Sequence, residues 1–276
     1  MSLNPSRTRG LCGVVLAAWL LLCLPFPATA GEIRIGGAGN ALGTIQLLVE
    51  AFAKSHPEAK IVVLPSLGTA GALTAVAKGG VAIGLATRPL SDEDARNGLT
   101  AIEYARSLTV FAVQEKNKVT ALSLGQVAEI YSGKRSGWPD GTTIRPVMRQ
   151  PGDDNYRQVR MLSPEIAAAL AVAEQRQGLP FAVTDQDAAD KMEAIPGSFG
   201  SSTLALILSE KRPLRALTLD GVAPTVENGR SGRYPIIKPF YLVLPKNPAP
   251  EALEFIKFVR SPQGIKILEQ NGHFIP

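Results

Sequence analysis

Between residues 32 and 87 the chain alternates strand-like and helix-like runs joined by glycine-rich loops. "EIRIGG" (32–37) alternates in polarity and ends in glycines. "ALGTIQLLVEAFAKSHP" (41–57) follows, with Ile45, Leu48, Val49 and Phe52 at helical spacing and a stop at Pro57. "KIVVLP" (60–65) reads as a buried strand, "TAGALTAVAKGG" (69–80) as a short helix closed by Gly79 and Gly80, and "VAIGLAT" (81–87) as a third strand. This alternation constrains the fold more than any other feature: it predicts an α/β protein with a parallel sheet.

The remainder extends the pattern. "LTAIEYA" and "LTVFAVQ" read as two strand-like stretches. "SLGQVAEIYSG" (123–133) starts a helix at Ser123 with Gln126 three residues on, the spacing of a capping box. "TTIRPVM" (142–148) reads as a strand leading into the loop "RQPGDDNYRQV". Two helices follow, with start signals at Pro164 and Thr184 and glycine stops at Gly178 and Gly197. "LRALTLDG" and "YPIIKPFYLVLP" are strands, and two closing helices are broken at Ser261–Pro262. Residues 115–232 can form their own α/β unit, after which the last strand and helices return to the first. The expected organisation is lobe 1 from 31–114 and 233–276, lobe 2 from 115–232, two crossovers and a ligand cleft between the lobes.

Residues 1–30 have the pattern of a removable secretory signal: Arg7 and Arg9, the short apolar run "LCGVVLAAWLLLCL", and "ATA" before Gly31. An uncleaved anchor is the alternative, although the run is short for a bilayer span. Cleavage near Ala30 removes Cys12 and Cys23, the chain's 2 cysteines, so the mature protein is expected to lack disulfides, thiolate chemistry and cysteine metal ligands. It also lowers the basic count from 29 to 27 against 24 acids, a net +3 in place of +5. That slight positive bias, without any basic run, argues against nucleic acid as partner. No later segment is apolar enough to span a membrane, so an exported, soluble protein is expected.

"GGAGNALG" (36–43) imitates a dinucleotide-binding turn, but it carries one extra residue, and the next strand ends in Leu64–Pro65 without the acid that a ribose needs. What survives is either a packing turn or a set of N–H groups near Asn40 and Ala41 able to face an anion. "PSLGTAGAL" repeats the device with Thr69, as a cap or a ligand donor, and Thr87 ends the next strand at the same sheet edge. Arg88 either reaches the cleft or pairs with the acidic run Asp92–Asp94. Catalysis finds little support: His56 and His273 are isolated, "PGSFG" lacks nucleophile-elbow spacing, and Asp153 and Asp154 are adjacent rather than opposed. No enzyme, metal or cofactor is expected.

Taken together, "GAGN", "PSLGTAGAL", "GGVAIGLATRPLSDED", "EIYSGKRSGWPDG", "IRPVMRQPGDDNYR" and "DGVAPTVENGRSGRYPI" resemble the phosphate-binding, substrate-binding proteins of ABC importers, the type II periplasmic binding proteins. The resemblance implies a two-lobe α/β fold, an interlobe anion site, a monomer and an ABC permease as partner. Carried over by position, it implies ligand contacts from Asn40 and Ala41, from Gly68, Thr69 and Ala70, from Thr87, and from Arg149 and Gly152. Where the family has serine-glycine-threonine, this chain has Asp153, Asp154 and Asn155.

That departure bears on the ligand. Two like charges about 4 Å apart repel by roughly 4 kcal/mol at an effective dielectric near 20. Three resolutions are open. The carboxylates cap the helix and leave their N–H groups free; or one accepts a proton carried by the ligand; or the ligand carries positive or amide character, with Arg149 paired to an aspartate. The expected function is capture of a small oxyanion, phosphate or a relative, for ABC-type import. The alternative is a sensing or adhesion protein on the same fold, with a different ligand or none transported.

Overall fold

A computed structural model describes residues 32–276, so the signal-peptide reading lies outside the described residues. The first segment runs β1 (Ile33–Gly37), α1 (Gly39–Ala53), β2 (Ile61–Val63), α2 (Gly68–Ala77), β3 (Ile83–Ala86), α3 (Asp92–Arg96) and β4 (Thr100–Gln114). Then come β5 (Ala121–Leu122), α4 (Leu124–Ser132), β6 (Arg145–Pro146), β7 (Met148–Arg149), α5 (Asp154–Arg160), α6 (Pro164–Gln175), β8 (Phe181–Ala182), α7 (Asp185–Ala194), β9 (Ser198–Thr203) and α8 (Leu204–Ser209). The chain closes with β10 (Leu214–Ala216), β11 (Thr218–Leu219), α9 (Val226–Arg230), β12 (Ile237–Leu244), α10 (Pro250–Val259) and α11 (Pro262–Gln270).

The main sheet has the order β2-β1-β3-β12-β4-β9-β6, with β10 on β4 as its eighth strand. β1 pairs in parallel with β2 and β3, as the strand–helix alternation requires, while β12 enters antiparallel between β3 and β4. The sheet is therefore mixed. The stretches expected as two strands around Arg106 are one 15-residue strand, β4. No proline or glycine interrupts it, and its partner changes along its length, from β12 up to Leu108 to β9 from Thr109 onward. Conversely, the single strand expected at 142–148 is two short pieces with different neighbours. Val147 N–H bonds Phe199 O and Met148 N–H bonds Pro180 O, while Pro146 has no N–H to extend a ladder. The segments 198–209 and 226–230, which carry no strong periodic signal, form β9, α8 and α9.

Two principal hydrophobic cores flank this change of partner. One gathers Ile35, Ile45, Leu48, Phe52, Ile83, Phe240, Phe255 and Leu268. The other gathers Phe111, Val127, Tyr131, Trp138, Ile166, Leu170, Met192 and Phe199. The two passages between halves are β4 near Leu108–Thr109 and the start of β12, where Thr109 N–H also bonds Ile236 O at 3.0 Å. His273 is fully buried in the first half, where burial lowers its pKa to about 3 and Nε2 lies 3.1 Å from Thr44 Oγ1. Its role is packing, in keeping with its isolation in the sequence.

Candidate functional site: an interlobe cleft lined with its own carboxylates

Helix capping shows where the structure keeps polar groups in reserve. Eight of the described helices begin at a side-chain cap: Ser91, Ser123, Asp153, Ser163, Thr184, Thr203, Thr225 and Ser261. Ser123 and Gln126 form the expected capping box. α1 and α2 have no side-chain cap, since Ala38 and Leu67 precede them. Both begin at the carboxyl end of a parallel strand, where their first N–H groups and positive dipole ends face the cleft. Gly68 opens α2 with φ +66, and a Cβ there would meet nothing within 4 Å, so glycine is needed for the backbone conformation rather than for space.

The cleft between the halves is a cavity of about 320 Å³. Of the residues expected at the site, it brings together Asn40, Gly68, Thr69, Ala70, Thr87, Arg149, Gly152, Asp153 and Asp154. Ala41 does not line it: its N–H is used within the α1 turn, on Ala38 O at 3.1 Å. Asn155 also lies behind the wall and is buried. Its Oδ1 accepts from Asn40 Nδ2 at 3.2 Å, and Asn40 Oδ1 accepts from Thr203 Oγ1 at 3.0 Å. The two amides thus tie the halves together.

The protein's own carboxylates occupy the anion-recognising groups. Asp154 Oδ2 accepts from Thr69 Oγ1 at 2.6 Å and from Thr87 Oγ1 at 2.7 Å, and Thr87 N–H in turn donates to Thr69 Oγ1 at 3.2 Å. Asp185 Oδ2 accepts from Asn40 N–H at 3.1 Å, so the start of α1 is capped from the other half. Arg149 donates to Asp185 Oδ1 at 3.1 Å and to Asp153, while its Nε is buried without a partner. Asp153 spans two roles: its other oxygen caps α5 by accepting from Tyr156 N–H at 3.0 Å. Of the three resolutions, Asp153 therefore combines helix capping with pairing to Arg149, while Asp154 points across the cleft.

Burial and pairing set the electrostatics. Burial alone would raise the Asp154 pKa, but the Thr69 and Thr87 hydrogen bonds, aided by Lys238 and Arg157, hold it below the usual carboxylate value. Asp185 is raised: burial dominates, with Asp153 reinforcing it and Arg149 opposing. Lys238, fully buried on β12 with no hydrogen-bond partner for Nζ, is lowered by burial against the pull of Asp154, Asp185 and Asp153. Arg157 pairs with Asp154 at the cleft wall. Arg88 lines the cleft and also pairs with Asp94 at 3.3 Å, so both expected roles meet in one side chain.

Asp185, Lys238 and Arg157 were not singled out by sequence. Thr184–Asp185 reads as an ordinary helix start, and Arg157 as an ordinary exposed helical residue. Lys238 did leave a signal: a lysine inside the apolar strand "YPIIKPFYLVLP" asks for buried counter-charges. Among the described residues, no group of three or more His, Cys, Asp or Glu side chains could hold a metal.

The chain is similar to known proteins. Residues 26–263 match a family described as a PBP superfamily domain. "Phosphate-binding protein PstS 2" of Streptococcus agalactiae is 29% identical over 112 residues, which is 41% of this chain but 38% of the streptococcal protein's length. "Phosphate-binding protein PstS" of Bacillus subtilis is 22% identical over 255 residues, covering 90% of this chain and 81% of that protein. A putative phosphate ABC transporter substrate-binding protein from Clostridium perfringens, solved with bound phosphate, shares the fold with a TM-score of 0.76 at 22% identity, covering 89% of this chain and all of that one. The resemblance seen in the sequence motifs therefore extends to the fold, and the chain belongs to the PBP superfamily.

Proposed function

We propose that this protein is an exported solute-binding protein that captures a small oxyanion between two lobes and delivers it to an ABC permease. The observation that carries the reading is the seat formed by Thr69 and Thr87. Two hydroxyls converge on one anionic oxygen at the uncapped start of α2, and the oxygen now held there belongs to Asp154. A ligand oxygen takes that place when Asp154 turns towards Arg157, with which it already pairs. Arg149, whose Nε is free, supplies positive charge from the opposite wall. We place lobe 1 at residues 32–108 and 237–276 and lobe 2 at 109–236, with closure about β4 and the start of β12. Export rests on the sequence pattern of residues 1–30; among the described residues no helix is long and apolar enough to cross a membrane. Nothing in this reading requires a reaction or a cofactor, and the protein acts as a monomer.

A thermal-shift panel of phosphate, phosphite, arsenate, sulfate, molybdate and tungstate at pH 5 and pH 8 tests it. At least one anion should raise the melting temperature, and Thr69→Val should abolish that rise. Asp154, held below the usual carboxylate value, stays ionised across this range, whereas Asp185 is raised by burial in the same cleft, so a response that fades from pH 5 to pH 8 points to a proton on the ligand only if it also fades in Asp185→Asn. The second reading, a sensing or adhesion protein, draws on the same self-occupied seat. It gains if no anion in the panel shifts the melting temperature.

A further inference from the structure

The cavity is wider than a bare tetrahedral ion needs. Its volume of about 320 Å³ falls near the lower end of the roughly 300–1,000 Å³ of small-molecule pockets. The lining is also divided by character. Its buried members are mostly polar: Asn40, Thr69, Thr87, Arg149 and Asp185. Two large apolar side chains line the same cavity from opposite halves while remaining exposed, Leu67 at 41% and Val183 at 64%. Apolar surface of this kind beside an anion seat gives affinity only to a ligand that carries apolar surface of its own.

Charge narrows the choice further. Three carboxylates, Asp153, Asp154 and Asp185, line the cleft, and each is already paired or hydrogen-bonded within the protein. Their repulsion and the attraction of Arg88, Arg149 and Arg157 both scale with the ligand's charge, and three acids against three bases leave no net positive charge in the lining to favour a doubly charged ligand. The present occupant of the seat, the Asp154 side chain, is itself a singly charged oxyanion on a carbon stem. Arg149, 5% exposed, lines the cavity, and its Nε is buried without a partner.

Building on the oxyanion-binding reading, we propose that the ligand is an organic oxyanion: a singly charged head of the sulfonate or singly ionised phosphonate class, with a short apolar substituent. The head sits on Thr69, Thr87 and Arg149, and the substituent lies between Leu67 and Val183.

Isothermal titration of the mature protein with sulfate, benzenesulfonate, phosphate and phenylphosphonate tests this. Each phenyl-bearing probe should bind at least tenfold more tightly than its inorganic parent. In the Leu67→Ser/Val183→Ser double variant, verified as folded by its thermal melt, that preference should drop below threefold. At pH 8, where phenylphosphonate gains a second charge, benzenesulfonate should bind at least as tightly. The proposal is overturned if an inorganic parent matches its phenyl derivative, if the preference survives in the double variant, or if the doubly charged phosphonate binds better. Tight phosphate or sulfate binding without phenyl preference overturns only this proposal and leaves the oxyanion reading standing. If no oxyanion binds at all, both fall.

Discussion

The two walls of the cleft differ in chemistry although each is built at helix starts. The wall from the first half, Asn40, Thr69 and Thr87, offers donors and contains no acid. The wall from the second half carries Arg149 with Asp153, Asp154 and Asp185, plus Arg157. The first is therefore an anion-receiving surface, and the second supplies carboxylates that satisfy it. The complementarity between the two walls is thus met within the protein, by carboxylates of one half on donors of the other. The contrast with α4 makes the point. Its N-terminus is served by its own Ser123 and Gln126, whereas those of α1 and α2 meet Asp185 and Asp154 from the other half.

The sharpest way to break this comparison is to remove the cation that balances the acidic wall. Arg149→Ala leaves Asp153 and Asp185 buried without their partner. Loss of one member of a buried pair costs about 3–5 kcal/mol, and urea unfolding should register a drop of that order. A loss below about 1 kcal/mol would show that the acids are not held by the arginine.

Removing the internal occupant should produce a smaller stability change with opposite consequences for binding. Asp154→Ala forfeits two hydrogen bonds to a charged group, each worth about 1.5–3 kcal/mol, but water replaces the carboxylate on the freed hydroxyls in the cleft and offsets much of that loss. Stability should fall by about 2 kcal/mol, while the affinity for whichever oxyanion the panel identifies should rise by about tenfold, or ~1.4 kcal/mol. Unchanged or weaker affinity in titrations would mean that Asp154 belongs to the ligand's own contacts.

Acidification separates the packing of the first half from the cleft. His273 is buried neutral with its pKa lowered from 6.5 to about 3. Its unfolded form takes up a proton first, so stability is intact above pH 6.5 and is lost as the pH falls towards 3. The slope should approach about 1.4 kcal/mol per pH unit. The Asp154 carboxyl, also lowered, contributes stability above its ordinary value of 3.8 that is lost only as the pH falls below that value. Asp185, raised by burial, acts in the opposite sense, its contribution fading as the pH rises above 3.8. Between pH 6.5 and pH 4 the difference between wild type and His273→Gln should therefore shrink with acid, as measured by denaturant melts; parallel curves would contradict the assignment.

The smallest effect belongs to the self-contained cap. Ser123→Ala should cost about 1 kcal/mol in a urea melt and leave oxyanion titrations unchanged, since α4 lies outside the cleft lining. An altered affinity would tie α4 to the site.

Much of the fold was legible because its signals are local. Ser123 bonds the N–H three residues on, Pro164 begins α6, Thr184 caps α7, and Ser261–Pro262 separates the last two helices. The continuity of β4 was not legible, because a strand's partners, rather than its composition, decide where it continues. At the site, Thr69, Thr87 and Arg149 could be named from strand-end positions and the family resemblance. The direction in which Asp154 points could not be named, since its partners lie 85 and 67 residues away.

The sequence by itself determined an alternating α/β chain, helix starts that carry their own caps, three (α1, α2 and α10) that do not, and an arginine followed by two aspartates. Only the tertiary structure decided what those aspartates face. Helix capping is settled over three residues, whereas the cleft joins Asn40 to Asp185 across 145 positions and places Lys238 behind the same carboxylates. Whether an acid repels a ligand, pairs with an arginine or fills a seat depends on which groups the fold brings within about 3 Å of it.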